Sequence, residues 1–268
     1  MKRVFNFIKH FGTFLFLTIT TQVGGLIYLL SVLINKKWNQ PFKCKLPVIF
    51  CSLYFVFTFL IIPFVAPIFG REKVHHNHNM SPTNYLTVIL NRNYVRPEMN
   101  TLLKSVSYGL TKIESDIEIR YLDANFPFIN KFPLLPHLSH NDGKKIDISL
   151  VYQTSEGEIT NKKKSISGYG AFSEPKNGEY DQVNECKSNG YFQYDYPKYL
   201  TFGSINSELV LSEKGTKTLV NQLLKQKNLG KLFIEPHLKN RMKLTDSRVR
   251  YQGCRAVRHD DHIHIQLK

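Results

Sequence analysis

The chain has 268 residues and a formal net charge of +15, a length that fits one or two domains. Its content of 42% hydrophobic and 13% aromatic residues excludes a chain too polar to form a packed core. The basic excess favours an anionic partner. Because no nucleic-acid motif and no run of interleaved aromatic and basic residues is present, we expect a cell wall or a membrane surface and no nucleic acid. A basic surface without a specific partner is the alternative.

The first 69 residues contain seven basic and no acidic residues. Within them, 11–34 and 47–69 are apolar and each is near the ~20 residues that a membrane-spanning helix needs. Threonines and Gln22 interrupt the first stretch, and Trp38 with the nearby lysines is typical of interfacial anchors. A cleavable signal peptide is disfavoured because a second stretch follows closely. The pattern predicts a membrane anchor over 1–69 with two spans, but the flanking charges do not decide its orientation.

After a predicted linker at 70–82, the remaining residues 83–268 form one predicted domain. The linker contains His75, His76 and His78, which we interpret as a flexible segment without a specific metal site. Hydrophobic spacing predicts helices at 97–113 and 212–228, a short helix after Pro236, and strands at 117–123, 145–153, 158–166, 231–235 and 262–267. Residues 167–200 have a loop-like composition. These elements predict an α+β fold with a small antiparallel sheet and flanking helices.

Two short clusters carry the chemistry of this domain. The first, at 136–147, contains His137, His140 and Asp147, and an Asn-Asp-Gly turn lets the last two converge. The second, at 258–265, reads Arg-His-Asp-Asp-His-Ile-His-Ile. Its His262 and His264 share one face of a predicted strand because side chains alternate along a strand.

Imidazole and carboxylate groups on adjacent strands suit a zinc ion, and three protein ligands leave a fourth position open. From spacing alone, His262 and His264 could both be ligands. Alternatively, one of them could bind the metal while the other stands beside the attacking water. The sequence therefore predicts a metallohydrolase.

The order His-x6-Asp followed by His-x-His resembles a known family. With His137 and His259 three residues before the first histidine of each motif, the pattern is similar to the penicillin-insensitive murein endopeptidases. These belong to the superfamily of lysostaphin, D-Ala-D-Ala metallopeptidases and Sonic hedgehog. The segment Leu-Phe-Ile-Glu-Pro-His-Leu-Lys-Asn at 232–240 resembles the one that precedes the family's second motif. The resemblance covers 83–268 and is carried by 136–150 and 231–267.

The resemblance implies a zinc peptidase that cleaves peptidoglycan cross-links of the D-Ala to meso-diaminopimelate type. It implies a catalytic domain in the periplasm, held at the inner membrane. The residues that it would assign are zinc ligands His140, Asp147 and His264, the general base His262, a second catalytic histidine His259, and the substrate-binding His137.

Two departures from the family leave the choice of substrate open. Lys145 stands where close relatives carry Asp. The Ala-Asn-Phe-Pro segment at 124–127 lacks the arginine that related D,D-dipeptidases use to stabilise the transition state, and Arg120 and Arg258 are the nearest arginines.

Two other functions remain open: a binding module for wall peptides or a protein partner, and a cytoplasmic hydrolase. A base such as His262 argues for catalysis, since a binding module needs none. Cys186 and Cys254 could form a disulfide if the domain lies outside the cytoplasm.

Overall fold

The computed structural model describes residues 1–37 and 45–268. Trp38, one of the predicted interfacial anchors, lies outside the described residues. The chain divides into two compact units. The first contains Met1–Val74, Leu86–Arg96 and Asn125–Gly143, and the second contains His75–Tyr85, Pro97–Ala124 and Lys144–Lys268.

The first unit is mainly helical. Its helices are Lys2–Thr21, Gly24–Lys37, Lys45–Val56, Ile62–Val65 and Leu86–Ile89, with a π-helical turn at Phe57–Ile61 and a 3-10 turn at Ala66–Phe69. Two short strands, Glu72–Lys73 and Tyr94–Val95, pair in an antiparallel manner. The first of these strands lies within the predicted linker.

The continuous helical run Lys45–Phe69 is long and apolar enough to cross a membrane, and an 18-residue window within it has a mean hydropathy of 2.5. It overlaps the predicted second span at 47–69, and no other helix in 1–37 and 45–268 meets the same criterion. The predicted first span at 11–34 is divided at Gln22, whose φ is +66°. The helix that follows has 14 residues, about 21 Å of length, against the ~30 Å of a bilayer core. The expected pair of spans is therefore corrected to one candidate.

The second unit contains a six-stranded sheet. In chain order its strands are β1 (Met80–Pro82), β2 (Ile119–Tyr121), β3 (Lys145–Ser149), β4 (Leu229–Phe233), β5 (Val249–Arg250) and β6 (His262–Leu267). The strands lie side by side in the order β5-β4-β6-β3-β2-β1. The three central pairings are antiparallel, whereas β1 runs parallel to β2 and β5 runs parallel to β4.

The sheet is therefore mixed. The prediction of a small antiparallel sheet is wrong for the two edge strands, which run parallel to their neighbours. A parallel pair needs a crossover connection. Helix Pro97–Thr111 lies between β1 and β2 in the chain, and helix Pro236–Arg241 lies between β4 and β5. Strand periodicity predicts which face is buried but not the direction of the partner strand. The α+β class is confirmed.

Helices and a smaller sheet complete the second unit. The predicted helices are confirmed as Pro97–Thr111, Glu213–Leu224 and Pro236–Arg241, with the first two ending earlier than predicted. The smaller sheet contains Tyr152–Gln153, Ile159–Thr160 and Val210–Leu211. Two of these three strands begin within the predicted strands 145–153 and 158–166.

The predicted loop at 167–200 is wrong in part, since it contains helix Gln182–Ser188 and a 3-10 stretch at Phe192–Leu200. Asp181 caps the helix by accepting a hydrogen bond from the Asn184 backbone N–H at 2.9 Å, which satisfies a donor that the helix itself cannot. Cys186 in this helix forms a disulfide with Cys254, so the two cysteines are paired. The content of glycine and proline in 167–200 favoured a loop, and for that reason neither helical segment was predicted.

β6 occupies a central position in the sheet, between β3 and β4. Its predicted bounds, 262–267, are confirmed. Ile263 and Ile265 are fully buried, and His262 and His264 are also almost inaccessible. Across the pair with β3, His264 faces Asp147 and His262 faces Ser149. The sheet thus brings the second histidine cluster next to the aspartate of the first.

Candidate metal centre

His137, His140 and Asp147 form a buried group that could hold a metal ion. Each offers one ligand atom, and these atoms lie within 4.8 Å of one another. Two imidazoles and a carboxylate are a donor set that suits zinc. The group contains two of the predicted ligands, His140 and Asp147, but its third member is His137 rather than the predicted His264.

The carboxylate of Asp147 is held at both oxygens. Oδ1 accepts a hydrogen bond from His264 Nδ1 at 2.8 Å, and Oδ2 accepts one from the Tyr169 hydroxyl at 2.8 Å. The backbone N–H of Asp147 donates to the Asp123 carbonyl at 2.9 Å. The residue is fully buried on β3, so its orientation is set by its neighbours rather than by solvent.

His264, the third ligand that the family resemblance implies, lies directly opposite Asp147 on the adjacent strand. Two atoms bound to one tetrahedral zinc ion at 2.0–2.1 Å lie roughly 3.3 Å apart. The 2.8 Å between His264 Nδ1 and Asp147 Oδ1 is about half an ångström shorter than that. For both atoms to bind one ion, Nδ1 would have to lose its proton and the two side chains would have to separate by about that distance.

Tyr169 was not singled out from the sequence, where Ser-Gly-Tyr-Gly at 167–170 indicated only a loop. Gly168 and Gly170 on either side have φ values of +94° and +75°, which glycine adopts at little cost. A Cβ on Gly170 would lie 2.2 Å from the Pro197 carbonyl oxygen. Burial, with the charges of Asp123 and Asp147, raises the pKa of Tyr169 well above its ordinary value, so its hydroxyl remains a donor. In the sequence, the position of Tyr169 between two glycines was the one local feature that could have indicated its role.

His262 is held by the residue before it. Its Nδ1 bonds to Asp261 Oδ1 at 2.5 Å, and Asp261 Oδ2 accepts the Gly170 backbone N–H at 2.6 Å. His262 Nε2 lies 3.7 Å from Asp147 Oδ1. Burial lowers the pKa of His262, but the charges of Asp261 and Asp147 outweigh that effect and raise it to about 9. A cation at Asp147 would oppose this rise, because it cancels part of the negative charge.

His259 lies in the same cluster of rings. Its centroid is 4.9 Å from that of His262 and 6.1 Å from that of Phe233. The His259 backbone N–H donates to Glu235 Oε1 at 2.9 Å, and the Tyr194 hydroxyl donates to the same carboxylate. Burial raises the pKa of Glu235. Glu235 therefore anchors the segment that carries His259.

Both arginines near the clusters are engaged elsewhere. The Arg258 guanidinium donates to Asp260 at 2.7 Å and to Glu174 at 2.6 Å. Arg120 donates to Ser81 and lies 3.4 Å from Glu118. Both guanidinium groups are therefore already paired with carboxylates.

Lys145 and His76, which were also noted in the sequence, lie in different parts of the second unit. Lys145 is largely buried on β3 opposite Gln266 of β6. In the predicted linker, His76 Nε2 bonds to the Tyr121 hydroxyl at 2.5 Å.

A scan of the chain against protein-family models gives no match. A search of curated proteins gives no match either. The interpretation of the centre therefore depends on its geometry and on the resemblance of its motifs.

Proposed function

We propose that the protein is a zinc-dependent peptidase that hydrolyses amide bonds in peptidoglycan cross-link peptides, of the D-Ala to meso-diaminopimelate type. The observation that carries this proposal is the buried His137, His140 and Asp147 group, together with His262, whose Nε2 lies 3.7 Å from Asp147 Oδ1. A metal site with an oriented imidazole beside it has the parts of a hydrolase.

In this proposal His140 and Asp147 bind the zinc ion, and His264 completes the set. The contact of His264 Nδ1 with Asp147 Oδ1 at 2.8 Å supports a place for His264 beside the ion, whereas the group of ligand atoms within 4.8 Å of one another contains His137 instead. A bound zinc ion supplies Lewis-acid chemistry, since it polarises a carbonyl group and makes water more acidic. Tyr169 keeps Asp147 in place through its hydrogen bond to the second carboxylate oxygen.

His262 is the proposed general base. Asp261 holds its Nδ1, which directs Nε2 toward Asp147 and fixes the tautomer that can accept a proton there. The imidazole takes a proton from the attacking water and passes it to the leaving amine. Asp261 stabilises the imidazolium that exists between these two transfers.

The two remaining histidines line the proposed site. His259, the second catalytic residue of the proposal, packs beside His262 at 4.9 Å between ring centroids and stabilises the charge that develops on the attacked carbonyl. His137 positions the substrate.

We propose that the catalytic domain lies on the periplasmic side of the inner membrane. The Cys186–Cys254 disulfide supports an oxidising compartment, and the apolar helix Lys45–Phe69 supports a membrane anchor. An alkaline phosphatase fused after Lys268 would be active under this proposal, since that enzyme functions only outside the cytoplasm. An inactive phosphatase with an active cytoplasmic reporter at the same site would contradict it.

The activity is tested with the full chain in detergent, supplied with zinc and incubated with purified peptidoglycan. We expect monomeric muropeptides from cross-linked dimers, identified by mass. We expect none with a chelator or with His262→Ala, whereas exposed His78→Ala serves as the matched control. Intact dimers from a protein that retains one zinc ion would contradict the peptidase and favour a wall-peptide binding module.

A further inference from the structure

The second unit contains a cleft that the proposed chemistry does not use. Its volume is about 600 Å³, within the range of ligand pockets in proteins. Its apolar wall is formed by Phe172, Val210 and Leu211. The charged residues that line it are four basic and two acidic: Lys164, Lys176, Lys214, Arg241, Glu174 and Glu213.

Both carboxylates of the cleft are already engaged. Glu213 accepts from Lys176 Nζ at 2.7 Å, and Glu174 accepts from Arg258 at 2.6 Å. Arg241 is held by both oxygens of Glu179. Glu213 also lies 3.9 Å from Arg241, so these two carboxylates are engaged with cations other than Lys164 and Lys214.

Two lysines supply the remaining positive charge. The side chain of Lys214 is 86% exposed and lies 3.6 Å from Glu114. Lys164 is partly buried, and among residues 1–37 and 45–268 no ion pair forms at its ammonium group. The cleft therefore offers positive charge beside an apolar wall.

The segment 169–174 connects this cleft to the catalytic histidine. The Gly170 backbone N–H donates to Asp261, which binds His262, and the Ser173 backbone N–H donates to the Asp260 carbonyl at 2.8 Å. The Phe172 ring, a wall of the cleft, lies 3.8 Å from the Arg258 guanidinium. A ligand in the cleft would lie along the same segment that orients Tyr169 and Asp261.

We propose that this cleft binds a carboxylate group of the peptide substrate, with Lys164 and Lys214 as its cations. Phe172, Val210 and Leu211 contact the aliphatic part of the same peptide. The inference rests on the proposed function, because that function identifies the ligand as a wall peptide. A carboxylate fits better than a neutral group because the ammonium group of Lys164, and that of Lys214 in its exposed pair with Glu114, attract it at long range.

The test is calorimetric binding to the full chain in detergent, in the His262→Ala background so that no turnover occurs. The probes are a synthetic stem tetrapeptide with free carboxylates and the same peptide with its carboxylates amidated. We expect Lys164→Glu to weaken binding of the free peptide by about tenfold or more and to leave the amidated peptide unchanged. Lys162→Glu, at an exposed lysine outside the cleft, is the matched control. Equal binding of the two peptides, or an equal effect of the two substitutions, would overturn the inference.

Two further measurements separate this inference from the proposed function. If Lys164→Glu does not fold, Lys164→Gln replaces it, with an unchanged melting temperature as the criterion of folding. Failure of the proposed function would appear as intact cross-linked dimers, even while carboxylate-dependent binding persists. Failure of this inference would appear as cleavage whose KM is the same for Lys164→Glu and wild type.

Discussion

Asp147 and His264 face each other across two antiparallel strands, and Asp147 Oδ1 accepts a hydrogen bond from His264 Nδ1 at 2.8 Å. These residues are 117 positions apart in the chain. The contact joins the two histidine clusters, since Asp147 belongs to the first and His264 to the second.

The identity of the third ligand can be determined by comparing two alanine variants. We expect His264→Ala to weaken zinc binding far more than His137→Ala, because His264 shares the immediate contacts of Asp147. Zinc content after dialysis, measured by mass spectrometry on the full chain, gives the answer. His140→Ala is the positive control and His78→Ala the negative one. Loss of zinc with His137→Ala alone would reverse the assignment.

Tyr169→Phe tests the support of the aspartate. Removing the hydroxyl deletes the hydrogen bond to Oδ2 of Asp147 while the ring remains. Removing a residue that hydrogen-bonds to a metal ligand lowers metal affinity by about 10–100-fold, and we expect a loss of zinc affinity in that range. Competition with a zinc indicator measures it. Tyr180→Phe, at an exposed tyrosine, should bind zinc like wild type, and an equal loss in both variants would contradict the role.

Asp261→Asn tests the orientation of His262. Asparagine has nearly the same shape but can present an N–H to Nδ1, which disfavours the tautomer that the proposed base needs. We expect kcat to fall by about 10²–10⁴, by analogy with triads that lose their aspartate, with zinc content unchanged. The readout is release of muropeptide monomers, with exposed Asp116→Asn as the control. An unchanged kcat would remove Asp261 from the mechanism.

The disulfide predicts a large effect on stability. Cys186 and Cys254 are 68 positions apart, and closing a loop of that length stabilises a fold by about 4 kcal/mol in the chain-entropy description. We expect the double substitution by serine to lower the melting temperature by roughly 8–16 °C. Cys51→Ser, at an exposed free cysteine, is the control. A shift no larger than that of the control would contradict the prediction.

The ion pair of Glu179 with Arg241 predicts an acid-dependent loss of stability. Hydrogen bonding to Arg241, opposed by burial, lowers the pKa of Glu179 from 4.5 to about 2. The folded state thus binds fewer protons than the unfolded state between these values. The stabilisation is complete above pH 4.5 and is lost as the pH falls toward 2. Glu179→Gln should lower the melting temperature by about 2–4 °C at pH 7, for a pair worth about 1 kcal/mol.

This difference between wild type and Glu179→Gln should shrink as the pH falls below 4.5. A difference independent of pH would contradict the assignment. Scanning calorimetry in detergent at several pH values measures it.

Periodicity predicted the parts of the fold in which one face of an element is apolar. Strand 262–267 and the main helices followed from that spacing, as did the α+β class. The edge strands did not, because β1 and β5 have only three and two residues and their parallel direction depends on distant partners. The break at Gln22 was also missed. Its side chain accepts the Phe128 backbone N–H at 2.9 Å, a contact that spacing within 11–34 does not reveal.

For the candidate site, the sequence indicated the histidines and Asp147 but not the residues that hydrogen-bond to them and hold them in place. His140 and Asp147 belong to the buried group because a sharp turn separates them, which sequence can indicate. Tyr169 and Glu235 act through hydrogen bonds to residues 22 to 46 positions away in the chain, and no local sequence pattern predicts such bonds. Asp261 is part of the sequence motif, but the sequence did not indicate that the Gly170 backbone N–H donates a hydrogen bond to it.

The alternation along β6 has a consequence for its register. Ile263 and Ile265 fill one side of the strand while His262 and His264 occupy the other, and all four are buried. Sliding the strand by one position would exchange the two sets, placing imidazoles where the isoleucines pack. The packing of the isoleucines and the placement of the histidines therefore depend on the same register. If the proposed reaction were lost, the buried isoleucines would still hold β6 in that register.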